Sequence, residues 1–292
     1  IGRTLQREGC KWVADLRDPH TYNHYTSSRL PAVFARQRRL ERTAATQADA
    51  VTVASSAIAM ILTDMYGLQD PSRLHFIPTG LDEELLPPPD APKPRDDRYI
   101  LFSGEYLPEY GGEFFEIFAA ALARPEVAEQ NIKLLIVGRA EVNGPRVRPH
   151  IERLRLEDSV EIIDHLPQQN LYALISNAVA CVLMSSRTYR WWCLYAKLID
   201  CIAMRKPVLA LLPETSEART CLRRAELGVF LDGDGTACVN TLATFLLQEA
   251  NQVSPKDKGS KKYLTGSQVP AFTSVFEDTL RIEATAQGIG QA

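Results

Sequence analysis

The sequence predicts an α/β protein of doubly wound parallel sheets, and three observations support this. Short apolar runs alternate with amphipathic stretches along nearly the whole chain, the pattern of strands layered with helices. From Tyr99 onward, six such runs are each followed by a helical pattern, which yields a parallel sheet covered on both faces. A proline-rich run from Pro87 to Pro94 separates this regular part from a first part with the same alternation, and it reads as an interdomain linker.

In the first part, Ile1 to Glu8 reads as the end of a helix, followed by Gly9. Lys11 to Leu16 reads as a strand and Arg17 to Ser28 as a polar loop. Pro31 to Asp49 is a long helix with a charged face of Arg36, Arg38, Arg39, Glu41 and Arg42. Ala50 to Ala54 is a strand, and Ser55 and Ser56 are placed to cap a helix over Ala57 to Tyr66. Leu74 to Ile77 is a further strand, ending at Pro78-Thr79-Gly80. The first domain is then residues 1–86 and the linker residues 87–98.

The second domain is residues 99–250. Strands are expected at Tyr99–Ser103, Lys133–Val137, Val160–Ile163, Ala180–Met184, Val208–Leu211 and Gly228–Leu231. Helices are expected at Glu113–Ala123, Pro145–Leu154, Gln168–Ser176, Tyr195–Met204, Glu214–Ala225 and Thr236–Ala250. Residues 251–269 are polar and read as a flexible loop; helical periodicity returns over Phe272 to Ile282, within residues 270–292, before a frayed tail from Glu283.

Composition narrows the function classes. A chain of 292 residues with 45% hydrophobic and 24% charged residues buries a sizeable core in one large or two medium domains. Its net charge of -3 provides no global basic field for nucleic acid, so no nucleic-acid partner is expected. Cys10, Cys181, Cys193, Cys201, Cys221 and Cys238 form no C-x-x-C pair and show no zinc-ligand spacing. They read as buried reduced thiols of a cytoplasmic protein without a metal site. No apolar run approaches the roughly 18 residues that a bilayer span requires, and no signal peptide opens the chain.

Three constellations carry chemistry. Ser103-Gly104-Glu105-Tyr106-Leu107-Pro108-Glu109-Tyr110-Gly111-Gly112 joins a strand to a helix. Gly104, Gly111 and Gly112 allow a phosphate to approach the backbone and the helix N-terminus, or the segment is a plain turn. Leu134 to Arg139 is a buried strand ending in Gly138, which keeps a crevice open, and Arg139, which either faces a ligand phosphate or is an exposed arginine. The third, Lys197-Leu198-Ile199-Asp200, leads through Arg205-Lys206-Pro207-Val208 into the next strand.

The third segment resembles the donor-ribose motif of glycosyltransferase family 4 and its relatives, roughly Lys-Leu-x-Glu-Tyr-x-Ala-x-Gly-Lys-Pro-Val. The resemblance implies that Asp200 accepts hydrogen bonds from the ribose of a nucleotide sugar, although a helix-dipole role near a helix start also accommodates a carboxylate there. It extends through Asp15-Leu16-Arg17-Asp18-Pro19, Ala48-Asp49 to Ser55, Ile77-Pro78-Thr79-Gly80-Leu81-Asp82, Pro213 to Ala218 and Glu226 to Leu231. The implied fold is GT-B: two Rossmann-like doubly wound domains, acceptor side first and donor side second, with the final helix crossing back to the first domain. Here the first domain is incomplete, and about 80 to 120 residues are expected before Ile1 from the resemblance and ordinary domain size.

Five positions depart from the family pattern, one of them Asp200, the shorter acid at the motif's glutamate. Glu105 and Tyr110 stand where many members carry an arginine and a lysine for the donor diphosphate. At ~4 Å and a dielectric of ~20, a carboxylate facing a phosphate would be repelled by up to about 4 kcal/mol. Arg139, Arg187, Arg190 or Lys197 would then supply the charge. Trp192 stands where an earlier glutamate is usual, and Arg205 where a glycine is usual. The pair Trp191-Trp192 is either core or a stacking platform.

The implied activity is transfer of a sugar, with retention, from a nucleoside-diphosphate sugar to a carbohydrate, lipid-linked or protein acceptor. No cofactor or metal is needed beyond that co-substrate. The donor site would comprise Gly104, Glu105, Gly111, Gly112, Gly138, Arg139, Leu166, Ser185, Lys197, Leu198 and Asp200, with Leu166 near the base. Asp15, Arg17 and Asp18 are acceptor-side candidates, and no catalytic base is assigned. A partner chain covering the incomplete first domain and peripheral attachment at the inner membrane face belong to this expectation. Two alternatives stand beside it: a binding or scaffold protein on a degenerate GT-B fold, and a sugar-nucleotide epimerase using His165.

Overall fold

The computed structural model describes every residue except His24, Tyr25, Gln69, Pro89, 186–190, 249–258 and 289–292. The chain forms two compact units: Ile1–Gly80 with Trp192–Leu194 and Lys262–Ala292, and Leu81–Trp191 with Tyr195–Lys261.

The first unit begins with α1 (Gly2–Arg7), β1 (Val13–Leu16), α2 (Pro31–Gln47), β2 (Ala50–Val53), α3 (Ser56–Tyr66) and β3 (Leu74–Phe76). Its strands form a parallel sheet in the order β1-β2-β3, with Ala14 opposite Val51 and Val51 opposite Leu74. β1 starts at Val13 rather than Lys11, because the Trp12 N–H is taken by the Asp49 carboxylate at 2.9 Å. Ser55 begins α3 by accepting the Ile58 N–H at 3.2 Å. Ile58, Ile61 and Leu62 then bury one face at helical spacing. Glu41 does not join the charged outer face of α2. It is buried, accepts the Thr21 N–H and hydroxyl, and accepts the Tyr66 hydroxyl at 2.6 Å.

The second unit contains β4 (Tyr99–Ser103), α4 (Glu113–Leu122), α5 (Pro125–Ala128), β5 (Lys133–Val137), α6 (Ala140–Leu154), β6 (Val160–Ile163) and α7 (Gln168–Asn177). It continues with β7 (Ala180–Met184), α8 (Ala196–Ala203), β8 (Val208–Leu211), α9 (Glu217–Ala225), β9 (Gly228–Phe230) and α10 (Gly235–Gln248). The six strands are parallel, in the order β6-β5-β4-β7-β8-β9. This is the doubly wound order, which reverses direction between β4 and β7. Phe114, Phe115 and Phe118 of α4, with Leu242, Phe245 and Leu246 of α10, bury against Ile100, Phe102, Leu134 and Ile136. Burial of each such side chain stabilises the fold by about 1.5–3 kcal/mol.

The last helix, α11 (Thr265–Gly288), belongs to the first unit, where Val275 packs against Ala50 and Ile77. The expected flexible loop over 251–269 is corrected in its second half: Ser260–Tyr263 form a 3-10 turn and α11 begins at Thr265. Burial of Tyr263 anchors that segment. The helix also continues past Glu283 to Gly288, where a frayed tail was expected. α6 begins at Ala140 rather than Pro145 and contains Pro145 and Pro149; burial of Asn143, Val147 and Ile151 outweighs the proline cost. α9 starts at Glu217 rather than Glu214, because Ser216 caps it through the Arg219 N–H at 3.3 Å.

Cys181, Cys201, Cys221 and Cys238 are buried and unbridged, whereas Cys10 is exposed and Cys193 half-buried, against expectation. Among the described residues, no helix is long and apolar enough to cross a membrane.

Candidate functional site

Within the second unit the site lies at the carboxyl ends of the strands. β4 pairs with β5 along its full length, to Ser103 opposite Val137. Its pairing with β7 consists of Ile100–Ala180 and Leu101–Cys181 alone. The ends of β4 and β7 therefore flank an opening where the strand order reverses, the usual ligand crevice of such sheets.

Two glycines shape one wall. A side chain on Gly138 would place its Cβ 2.5 Å from the Gly104 carbonyl oxygen, so only glycine fits against that backbone. Gly104 has φ +101°, a conformation that side-chain-bearing residues rarely adopt. Asn143, fully buried, clips the turn: its amide donates to the Gly104 carbonyl at 3.0 Å and its oxygen accepts the Tyr106 N–H at 2.8 Å.

The turn differs from its expected chemistry in two places. Glu105 does not stand as an uncompensated negative charge. Its carboxylate accepts Arg146 Nη1 at 2.7 Å and Arg139 Nη2 at 2.9 Å. These two guanidiniums, Arg146 foremost, hold the carboxyl below the usual carboxylate range. Arg139, expected either to face a phosphate or to be an exposed arginine, is engaged with Glu105, and Arg146 is a cation that the sequence pattern did not reveal because it lies well inside α6. Tyr110, where the resemblance leads one to expect a lysine, is buried in an aromatic cluster. It meets Phe102 edge-on at 6.2 Å and Tyr106 at 5.5 Å.

Lys197 and Asp200 lie one turn apart on α8. The Lys197 ammonium sits 4.0 Å from the centroid of the Phe102 ring and 3.6 Å from where a Cβ on Gly104 would be. Asp200 is half-buried and accepts the Tyr172 hydroxyl at 3.2 Å. Burial pushes its carboxyl up to about 6, partly offset by that hydrogen bond. Asp200 is the fifth residue of α8 and lies beyond its first turn. The helix-start dipole effect falls off within the first turn, so it has little hold on Asp200. Leu198 is fully buried.

The remaining donor-side positions are spread around the same edge. Ser185 follows β7, is buried, and shares a 2.5 Å hydrogen bond with the Tyr195 hydroxyl. Leu166 is half-buried in the β6–α7 connection, and His165 beside it is exposed. Gly112 is the N-cap of α4. Arg187 and Arg190 lie outside the described residues.

A cavity of about 780 Å³ opens beyond β7, β8 and β9, lined by Gly111, Ser185 and Pro213 and by the carboxylates Glu109, Glu113, Glu214 and Asp232. Asp232 is paired there with the buried Arg219. Among the described residues no His, Cys, Asp and Glu side chains cluster as metal ligands.

In the first unit, Asp15 and Arg17 pair at 2.7 Å. Asp15 also accepts the Thr52 hydroxyl at 2.6 Å, and Arg17 donates to the Ile77 carbonyl at 2.8 Å. Asp18 is exposed. Trp192 is buried with its indole N–H unpartnered, and its carbonyl accepts the Ser55 hydroxyl at 3.2 Å. Of the two readings for this tryptophan, the geometry is that of core. The usual glutamate position thus carries no carboxylate.

No family model matches the chain. A stretch of 133 residues is 32% identical to an MMP alpha-(1->4)-mannosyltransferase of Mycolicibacterium hassiacum, covering 45% of this chain and 30% of that protein. The matched stretch thus spans under a third of that relative's length. Sucrose-phosphate synthase from Thermosynechococcus elongatus superposes with a TM-score of 0.67 at 17% identity, over 96% of this chain and 71% of the other. Anabaena HepE, solved with UDP and glucose, superposes with a TM-score of 0.58 at 18% identity, over 97% and 73%. With its two parallel α/β units, the chain has the GT-B fold of Rossmann-like domains.

Proposed function

We propose that this protein is a family 4-like glycosyltransferase that moves a hexose, with retention, from a nucleoside-diphosphate sugar to a carbohydrate or lipid-linked acceptor. The observation that carries the proposal is the α8 arrangement: Lys197 reaches the Gly104 turn while Asp200, one turn on, presents a carboxylate partnered by Tyr172. A carboxylate accepts ribose hydroxyls, and cations beside a glycine turn stabilise a departing diphosphate. The mannosyltransferase relative makes mannose the first sugar to test, and the UDP held by HepE makes uridine the first base. Gly111, Gly112, Gly138, Ser185 and the Leu166 region complete the donor side, and Asp15, Arg17 and Asp18 the acceptor side. No further cofactor or metal enters this reading.

The reading includes a cytoplasmic location with peripheral attachment to a membrane face. Arg36, Arg38, Arg39 and Arg42 of α2 are exposed beside exposed Leu30, Val33 and Leu40, which supports such attachment. It also includes a partner covering the exposed Leu5, Phe276 and Leu280 of the first unit.

Isothermal titration with UDP and GDP tests the proposal; binding of one at micromolar affinity is expected, and binding of neither would sink it. Trp192 and the paired Glu105 favour a second reading, a binding protein on the same fold. Donor binding without transfer to any acceptor or water would support that reading instead.

A further inference from the structure

The geometry assigns Arg146 of α6, together with Arg139, as the clamp for the donor diphosphate, with Glu105 as the internal anion that competes for it; this rests on the sugar-nucleotide reading above. Arg139 and Arg146 converge on the Glu105 carboxylate, and Lys197 reaches the neighbouring Gly104. Arg146 lies nearly two turns into α6. Its side chain reaches the strand edge because helical side chains tilt toward the N-terminus.

Its Nη1 is held by two acceptors, the Glu105 carboxylate at 2.7 Å and the Tyr106 carbonyl at 2.8 Å. A guanidinium carries five N–H donors, so this anchoring aims the group and leaves donors for a second anion. Glu105 and a diphosphate compete for the positive charge of the same two arginines. A phosphate arriving at the Gly104 turn has to displace the carboxylate or share its partners, so Glu105 weakens diphosphate binding.

A purely structural reading has the arginines tether the turn to α6 with no role toward ligand. Titration of the full chain with inorganic pyrophosphate, uridine, UMP and UDP (or guanosine, GMP and GDP) separates the two. Arg146→Ala is expected to weaken pyrophosphate and diphosphate binding about tenfold or more, the scale of a lost charge-assisted hydrogen bond, with nucleoside binding changed less than about twofold. Arg146→Lys should recover part of the loss, which also guards against misfolding of the alanine variant. Glu105→Gln is expected to tighten diphosphate binding about threefold to tenfold by removing the competitor.

Equal losses for nucleoside and diphosphate in Arg146→Ala would overturn the clamp. So would weaker diphosphate binding in Glu105→Gln. Pyrophosphate bound through Arg146 without any nucleotide binding would support the clamp while sinking the sugar-nucleotide reading. Wild-type protein that binds neither pyrophosphate nor nucleotide would overturn both.

Discussion

Tyr172 on α7 donates its hydroxyl to the Asp200 carboxylate on α8 across 3.2 Å, tying two helices of the second unit together through a half-buried acid. Burial raises the Asp200 carboxyl to about 6, and its charge, after burial, raises the Tyr172 phenol to about 12. The phenol therefore stays a donor throughout the physiological range. The carboxylate is half protonated near pH 6, close to where enzymes operate.

Donor affinity is expected to rise with pH through this titration. Ribose hydroxyls donate to the charged carboxylate, so binding favours the ionised form and releases a proton from the neutral one. Affinity for the nucleoside diphosphate should climb several-fold between pH 5 and pH 7 and level off above. In Asp200→Asn the affinity should be lower and this rise lost. Titration calorimetry at three pH values reads both; wild-type affinity that falls over that interval would contradict the assignment.

The stability of the unliganded protein should move in the other direction. The folded-state pKa of Asp200 lies above its ordinary value of 3.8. The folded state then binds the extra proton, and the associated stability is full below about pH 3.8 and lost as pH rises through about 6. A rise from 3.8 to about 6 corresponds to at most about 3 kcal/mol. Denaturant midpoints should therefore decline more from pH 5 to pH 7 in the wild type than in Asp200→Asn. An identical slope in the two proteins would remove Asp200 as the source.

Arg205→Gly is expected to stabilise the protein. Arg205 follows α8 with φ +56°, and its neighbours complete the helix end: Lys206 N–H to Cys201 carbonyl at 2.8 Å and Arg205 N–H to Ile202 carbonyl at 3.1 Å. This is the left-handed closing position that favours glycine. Glycine there relieves about 1 kcal/mol of backbone strain, and Arg205 Nε is buried without a partner. Chemical denaturation should show a higher midpoint with an unchanged slope, and a lower midpoint would mean that the arginine stem packs more favourably than its backbone is strained.

That position also shows which parts of the molecule were legible in the sequence. The glycine usual at 205 carries a backbone requirement, and the requirement persists when the residue changes. Five strands of the second unit coincide with their predicted bounds, the central ones because fully buried parallel strands are continuous apolar segments. Helix starts were harder to read. α6 begins before two prolines, since burial of Val147 and Ile151 overrides local preference. Asp200, Lys197 and the glycine turn were visible because each belongs to one contiguous motif. Arg146 was not visible: its partner Glu105 lies 41 residues away, and only the β4–β5 pairing brings α6 beside the turn. Tyr110 read as a missing cation because a motif records a side chain's charge and not its surroundings.

Tyr110→Lys tests that last point. If position 110 were a phosphate-binding site lacking its cation, lysine would tighten diphosphate binding. In the structure Tyr110 is only 8% exposed and packs edge-on against Phe102 and Tyr106. Lysine there removes two aromatic contacts, each worth about 0.5–1.5 kcal/mol beyond burial, and must desolvate its ammonium or turn outward. The expected result is a loss of about 2–4 kcal/mol in denaturant stability with diphosphate affinity unchanged or lower. Tighter diphosphate binding at undiminished stability would instead show that the aromatic cluster yields readily and that the lysine reaches the ligand.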